Sequence, residues 1–206
     1  MSNVKTYQKS DLKITPNFKV SEFACQDGTA KVLIDYELAC LLQFMRDIVG
    51  KPLTINSAYR TESHNKKVGG AANSYHKYGR AFDVSGADVD LMCKILKSIG
   101  VKGIIKYPTF VHMDSRDNKY HANNLGKLLT FETMKLDCKF DVLKKGTKSY
   151  QVGVLQFKLN QLGYKCGKVD GNFGANTEKA VRKFQKDKGL VVDGLAGRLT
   201  MAELFK

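Results

Sequence analysis

The sequence predicts an α+β domain followed by a small all-α module of three helices. Apolar stripes at helical spacing alternate with short period-two runs over the first part of the chain. A turn motif built on Asp-Gly occurs twice near the end, each time ahead of a helical segment. The length, 206 residues with 43% hydrophobic and 26% charged, suits one ordinary domain plus a module.

Leu38, Leu41, Leu42, Met45, Ile48 and Val49 fall on one helical face, and Asp35 stands where an N-cap belongs. Leu53 to Ser57, Arg80 to Val84 and Phe110 to Asp114 alternate and read as strands, with a flexible loop at Gly69 to Asn73. Met92, Ile95, Leu96 and Ile99 form a second helical stripe, ended by Gly100. Residues 134–146 carry no long apolar pattern, so we divide the chain into a domain at 1–135, a linker at 136–141 and a module at 142–206. In the module, Val152, Leu155, Leu159 and Leu162 predict one helix and Ala180, Val181 and Phe184 another. The half-repeat pairs Val169-Asp170-Gly171 with Val192-Asp193-Gly194, each followed by a second glycine and then by Thr177 or Thr200, expected as helix caps.

Charge narrows the partners. The net charge is +14, with 20 basic and 13 acidic residues in 1–135 and 14 and 7 in 136–206, so the module is the more densely basic part. Such a field favours anionic partners: nucleic acid, acidic membrane or a phosphate-rich cell wall. No recognisable nucleic-acid motif or ordered aromatic and basic stripe is present, so nucleic acid is not expected. No apolar run approaches the length of a membrane span, and membrane insertion is not expected either. The opening Met-Ser-Asn-Val-Lys has no apolar stretch after its charge, so synthesis in the cytoplasm without a signal peptide is expected. Cys25, Cys40, Cys93, Cys138 and Cys166 are scattered and odd in number, which predicts reduced thiols.

Of four histidines, His64 and His121 lack informative context, whereas His76 and His112 have it. His76 lies in Ser74-Tyr75-His76-Lys77-Tyr78-Gly79-Arg80-Ala81-Phe82-Asp83, where glycine permits a tight turn before a strand carrying Asp83. In Phe110-Val111-His112-Met113-Asp114, the period of two places His112 and Asp114 on one face. Two imidazoles and one carboxylate suit Zn²⁺ with an open fourth position, the arrangement that activates water for hydrolysis. The rival facial triad of Fe(II) oxygenases fails on spacing, because His121 follows His112 too closely.

Residues from about 18 to 116 closely resemble the zinc D-alanyl-D-alanine carboxypeptidases and their endopeptidase relatives, the VanY-like group with the LAS metallopeptidase fold. Four blocks carry the resemblance in order: Val20 to Cys25, Ile55 to Arg60, Ser74 to Asp83 and Tyr107 to Asp114. Residues 142–206 resemble the three-helix peptidoglycan-binding domain, through Leu155-Gln156, Leu162-Gly163-Tyr164, Asp170-Gly171, Phe173-Gly174, Thr177, Phe184-Gln185 and Asp193-Gly194. The resemblance implies a small antiparallel sheet with flanking helices, zinc bound by His76, Asp83 and His112, and Arg60 beside the metal. Arg60 would hold a substrate carboxylate or a developing oxyanion, and Ser74 and Tyr107 would contact substrate.

The general base departs from better-known relatives. Several place an acidic residue three positions before the last zinc histidine, where this chain has Thr109; others place a histidine two before, where it has Phe110. Asp114 is the nearest acidic candidate, either as the base or as a carboxylate that orients a ligand. The function implied is an endolysin-like, zinc-dependent peptidoglycan hydrolase cutting a stem-peptide bond, of D-Ala-D-Ala carboxypeptidase or L-Ala-D-Glu endopeptidase type. Its expected partners are bacterial peptidoglycan and anionic wall polymers, met during phage or prophage lysis. The alternative is a wall-binding protein whose peptidase has lost turnover.

Overall fold

The computed structural model describes residues 3–123, 125–129, 133–134 and 141–206. Three strands open the chain, β1 (Val4–Gln8), β2 (Lys13–Thr15) and β3 (Phe18–Lys19), followed by a 3₁₀ turn at Val20–Phe23 and β4 (Lys31–Asp35). β1 pairs antiparallel with β4, and β2 with β3. Asp35 then caps α1 (Tyr36–Val49), its Oδ1 accepting from Glu37 N at 3.1 Å. Every residue from Leu38 to Met45 is buried, so α1 is covered on more than one side.

The main sheet and its connections comprise β5 (Thr54–Ser57), α2 (Glu62–Lys67), a 3₁₀ turn at Tyr75–Tyr78, β6 (Ala81–Ser85), α3 (Val89–Ile99), β7 (Gly103–Lys106), β8 (Val111–Asp114) and β9 (Tyr120–Ala122). Of these, α3 packs both on α1 and on the main sheet. The strand order is β5-β6-β8-β7-β9, antiparallel throughout except for the parallel pair β7 and β9. The three strands read from the sequence are present, each displaced by about one residue at an end. In the sheet register Asp83 stands directly opposite His112, and an irregularity between Ile55 and Ser57 brings Ser57 opposite Asp83.

The module consists of α4 (Tyr150–Gln161), α5 (Ala175–Asp187) and α6 (Arg198–Leu204). The predicted caps are corrected here: Gly174 and Gly197 occupy the N-cap positions, and Thr177 and Thr200 lie within the first turn of α5 and α6. Their hydroxyls serve a different purpose. Buried Gln156 Nε2 donates to Asp170 Oδ1, Asn172 O and Thr177 Oγ1, while its Oε1 accepts from Asp170 N and Gly171 N. Gln185 repeats the pattern, donating to Asp193 Oδ1, Leu195 O and Thr200 Oγ1 and accepting from Gly194 N. Each Asp-Gly turn is thus clamped to the preceding helix by one amide that meets its full hydrogen-bonding capacity, or nearly so.

The two parts pack against each other through α1 and α4. Gly153 of α4 faces Cys40 of α1 so closely that a Cβ there would lie 2.7 Å from the Cys40 sulfur. Phe44 stacks on Phe205 at 5.5 Å between ring centroids, Gln161 Nε2 donates to Gly100 O at 2.6 Å, and the Tyr150 hydroxyl donates to Asp47. One hydrophobic cluster runs through residues of both parts. The expected linker at 136–141 lies outside the described residues except for Asp141. Cys25, Cys40, Cys93 and Cys166 are free and buried, and Cys138 lies outside the described residues. Burial pushes the Cys40 thiol up to about 12, so it packs as a small neutral group. Among the described residues, no helix is long and apolar enough to cross a membrane.

Candidate metal centre

The site is assembled by the middle of the sheet and the turn that precedes it. The 3₁₀ turn carrying His76 ends at Gly79, whose φ of 65° is the left-handed conformation that glycine adopts without strain. A Cβ at Gly79 would also lie 2.3 Å from Leu33 O. The chain therefore reverses there and enters β6 with Asp83 pointing to the same face as His112. Arg60 N donates to His76 O at 3.1 Å, which ties the segment after β5 to this turn.

Ligand atoms of His76, Asp83 and His112 all lie within 4.8 Å of one another. His76 Nε2 is 3.3 Å from Asp83 Oδ2 and 3.3 Å from His112 Nδ1, and His112 Nδ1 is 2.8 Å from Asp83 Oδ1. Each imidazole is held from behind. His76 Nδ1 donates to Ala58 O at 2.7 Å, which leaves the lone pair on Nε2 facing inward. His112 Nε2 lies 3.0 Å from Asp114 Oδ2, so its Nδ1 is the inward atom. Two neutral nitrogens and a carboxylate, each buttressed by an outer partner, form a donor set that fits Zn²⁺.

Electrostatics follow from this crowding. Burial alone would raise the Asp83 carboxyl, but contact with His112 and His76, which favour its charged form when they carry a second proton, outweighs it and holds it well below the usual range. For His112 burial acts downward, and the bonds to Asp114 and Asp83 prevail and raise it. Asp114 is pulled to about 2 against its own burial by Arg116 and His112.

Arg60 lies beside the centre: Nη2 donates to Asp83 Oδ2 at 2.8 Å, and Nε to Ser57 Oγ at 2.7 Å. It also lines a cavity of about 210 Å³ with Ser57, Tyr59 and His64. Asp114 is fully buried, with both carboxylate oxygens occupied by His112 and Arg116. Ser74 heads the turn that carries His76, and Tyr107 sits at the β7–β8 hairpin, stacked on Phe110 at 4.4 Å. Neither side chain hydrogen-bonds to the triad among the described residues. His121 is bonded to Val101 O at 3.0 Å on β9. The sequence reading missed Arg116 and Ala58 O; Asp114-Ser115-Arg116 held the only cue, two opposite charges two positions apart.

Residues 16–114 match the family model of Peptidase M15, and residues 148–204 match that of a peptidoglycan binding domain. Residues 16–114 thus form an M15 peptidase domain and residues 148–204 a peptidoglycan-binding domain. Similar proteins include a spore cortex-lytic enzyme of Bacillus cereus, 46% identical over 65 residues that make up 32% of this chain and 25% of that protein. A zinc D-Ala-D-Ala carboxypeptidase of Streptomyces albus G is 43% identical over 58 residues, 28% of this chain and 22% of that protein. The crystal structure of the SleB N-terminal domain is 45% identical, covering 31% of this chain and 88% of that one at a TM-score of 0.31. This chain spans about a quarter of the length of these curated relatives. In the M15 domain, the matched segment holds Arg60, His76, Asp83, His112 and Asp114 together.

Proposed function

We propose that this protein is a zinc-dependent peptidoglycan hydrolase that cleaves a peptide bond of the wall stem peptide, of D-Ala-D-Ala carboxypeptidase or L-Ala-D-Glu endopeptidase type. The observation that carries this reading is the convergence of His76 Nε2, His112 Nδ1 and the Asp83 carboxylate, each supported from behind. The M15 match, the zinc carboxypeptidase relative and the wall-lytic relatives support it. His76, Asp83 and His112 would hold the ion, which supplies Lewis acidity for the scissile carbonyl and an acidified water.

The chain's own groups then do the rest. Arg60, fixed by Ser57 and Asp83, offers guanidinium donors to a substrate carboxylate or to the oxygen on which negative charge develops. Asp114 orients His112: with both oxygens filled and no exposure, it has no free face for a water molecule. Ser74, at the head of the turn that carries His76, and Tyr107, on the β7–β8 hairpin, would contact substrate. The peptidoglycan-binding domain keeps the catalytic site at high local concentration on the polymer, its positive charge adding attraction to anionic wall polymers. Wall breakdown during lysis is the setting that fits such an enzyme.

Digestion of purified peptidoglycan followed by mass spectrometry of the muropeptides tests this and names the bond. New termini should appear, vanish with a chelator and return with Zn²⁺. His76→Ala should abolish them. Full activity of that variant, or retained wall binding by zinc-loaded protein without any new termini, would refute the hydrolase.

A further inference from the structure

We propose that Arg116 is a positioning residue of the metal centre, acting through Asp114 to aim the Nδ1 lone pair of His112 at the ion. The proposal rests on the zinc reading above and concerns residues outside the ligand set.

Asp114 stands between Arg116 and His112. Arg116 donates from its backbone N at 3.0 Å and from Nε at 2.8 Å to Asp114 Oδ1, and from Nη2 to Oδ2, the oxygen that also meets His112 Nε2. A carboxylate with no exposure to water keeps such a place only beside a cation. The guanidinium fork suits this role because it grips both oxygens and fixes the plane of the group. The fork is in turn held by aromatic rings. Its central carbon lies 5.3 Å from the centre of Tyr75 and 4.6 Å from the centre of Tyr120.

Three elements thus serve one imidazole. Tyr75 precedes His76 on the 3₁₀ turn, and Tyr120 belongs to β9, the parallel strand at the sheet edge. β7 supplies space: Gly103 pairs with Asp114, and a Cβ there would lie 2.0 Å from Asp114 Oδ1 and 2.2 Å from its Cγ. Without Arg116 the Asp114 carboxylate loses its cation and turns away, and His112 Nε2 loses its acceptor. The ring is then free to rotate or to place its proton on Nδ1, the atom required for the ion. Losing an outer partner of this kind costs about 10–100-fold in metal affinity.

The test measures zinc affinity of the full chain by competition with a chromophoric chelator, with the thermal melt of each zinc-free protein as the control for folding. Arg116→Ala should bind zinc about 10–100-fold more weakly. Arg116→Lys should recover part of that loss, since it restores the charge without the fork. Tyr120→Leu, which removes one ring but keeps bulk at the sheet edge, should weaken binding several-fold. A purely structural role would lower the melting temperature, leave affinity unchanged and show no recovery with lysine. Zinc affinity of Arg116→Ala within about twofold of the parent overturns the proposal. If that variant does not fold, unchanged affinity in Tyr120→Leu overturns it. A parent chain that binds no zinc defeats the metal reading itself, whereas a zinc-binding parent with unaffected variants defeats only the role of Arg116.

Discussion

Replacing Gly153 by alanine tests how the peptidase and wall-binding parts are joined. In the middle of α4 the change should help by about 1 kcal/mol, because glycine is a poor helix former. The neighbour decides otherwise: the new Cβ would lie 2.7 Å from Cys40 Sγ and 3.3 Å from Cys40 Cβ. Cys40 belongs to α1, whose backbone is packed on several sides, and overpacking of this kind costs about 1–3 kcal/mol. The net effect expected is a loss of up to about 2 kcal/mol, which for a chain of this size lowers Tm by about 4–8 °C. Cys40→Ala removes the clashing sulfur and leaves a cavity of its own, costing roughly 1–2 kcal/mol alone. The double variant should then be more stable than the sum of the single ones by about 2 kcal/mol, since alanine at 153 keeps its helix benefit and loses its clash. Chemical denaturation followed by circular dichroism measures all four corners of this cycle. Additivity to within about 0.5 kcal/mol would refute the helix-on-helix junction. So would two separate unfolding transitions in the parent, because a shared core predicts one.

Three other outcomes follow from the same structure. Burial, together with the Asp35 carboxylate, pushes the Glu37 carboxyl up to about 7. A raised carboxyl binds its proton more tightly when folded, so its penalty is absent near pH 4, grows as pH rises and is complete above about pH 7. Glu37→Gln should leave stability at pH 4 unchanged and raise it at pH 8 by on the order of 2–3 kcal/mol in thermal melts; equal effects at both pH values would contradict this. Gly79→Ala should cost about 3 kcal/mol or more, combining a left-handed φ with contact on Leu33, and zinc binding should fall with it. Unchanged zinc stoichiometry and Tm would show that the turn before β6 is not fixed as described. Gln156→Ala should lower stability by about 3 kcal/mol, because the amides of Asp170 and Gly171 lose their acceptor. A loss under about 1 kcal/mol by denaturant titration would mean that water replaces the clamp.

What could be read in advance divides along physical lines. His76, Asp83 and His112 were legible because each sits in a local pattern, a glycine turn or a period-two strand, that fixes its direction without knowledge of partners. Arg116 was not, because its role depends on Asp114 across a bend and on Tyr120 from a strand of three residues whose pairing no local pattern announces. The strands β1 to β4 escaped notice for a similar reason: they are short, and their pairing, β1 with β4 and β2 with β3, joins segments that no strict alternation marks. Thr177 and Thr200 were misassigned as caps because residue type alone cannot distinguish a hydroxyl that meets its own helix from one that meets a buried glutamine. The junction between the two parts did leave a trace. Leu38 to Met45 is apolar or buried at every position, Gln43 included, more than a helix with one covered face requires.

That junction governs how any dissection of this protein must be interpreted. Cutting away the wall-binding part would bare the sides of α1 that hold Cys40 and Phe44, so the remainder would begin life with an open apolar groove. Lost activity in such a fragment would report a damaged scaffold as much as a missing binding domain. Chimeras that graft a different binding part onto this peptidase will need a matching helix with a small residue where Gly153 now stands.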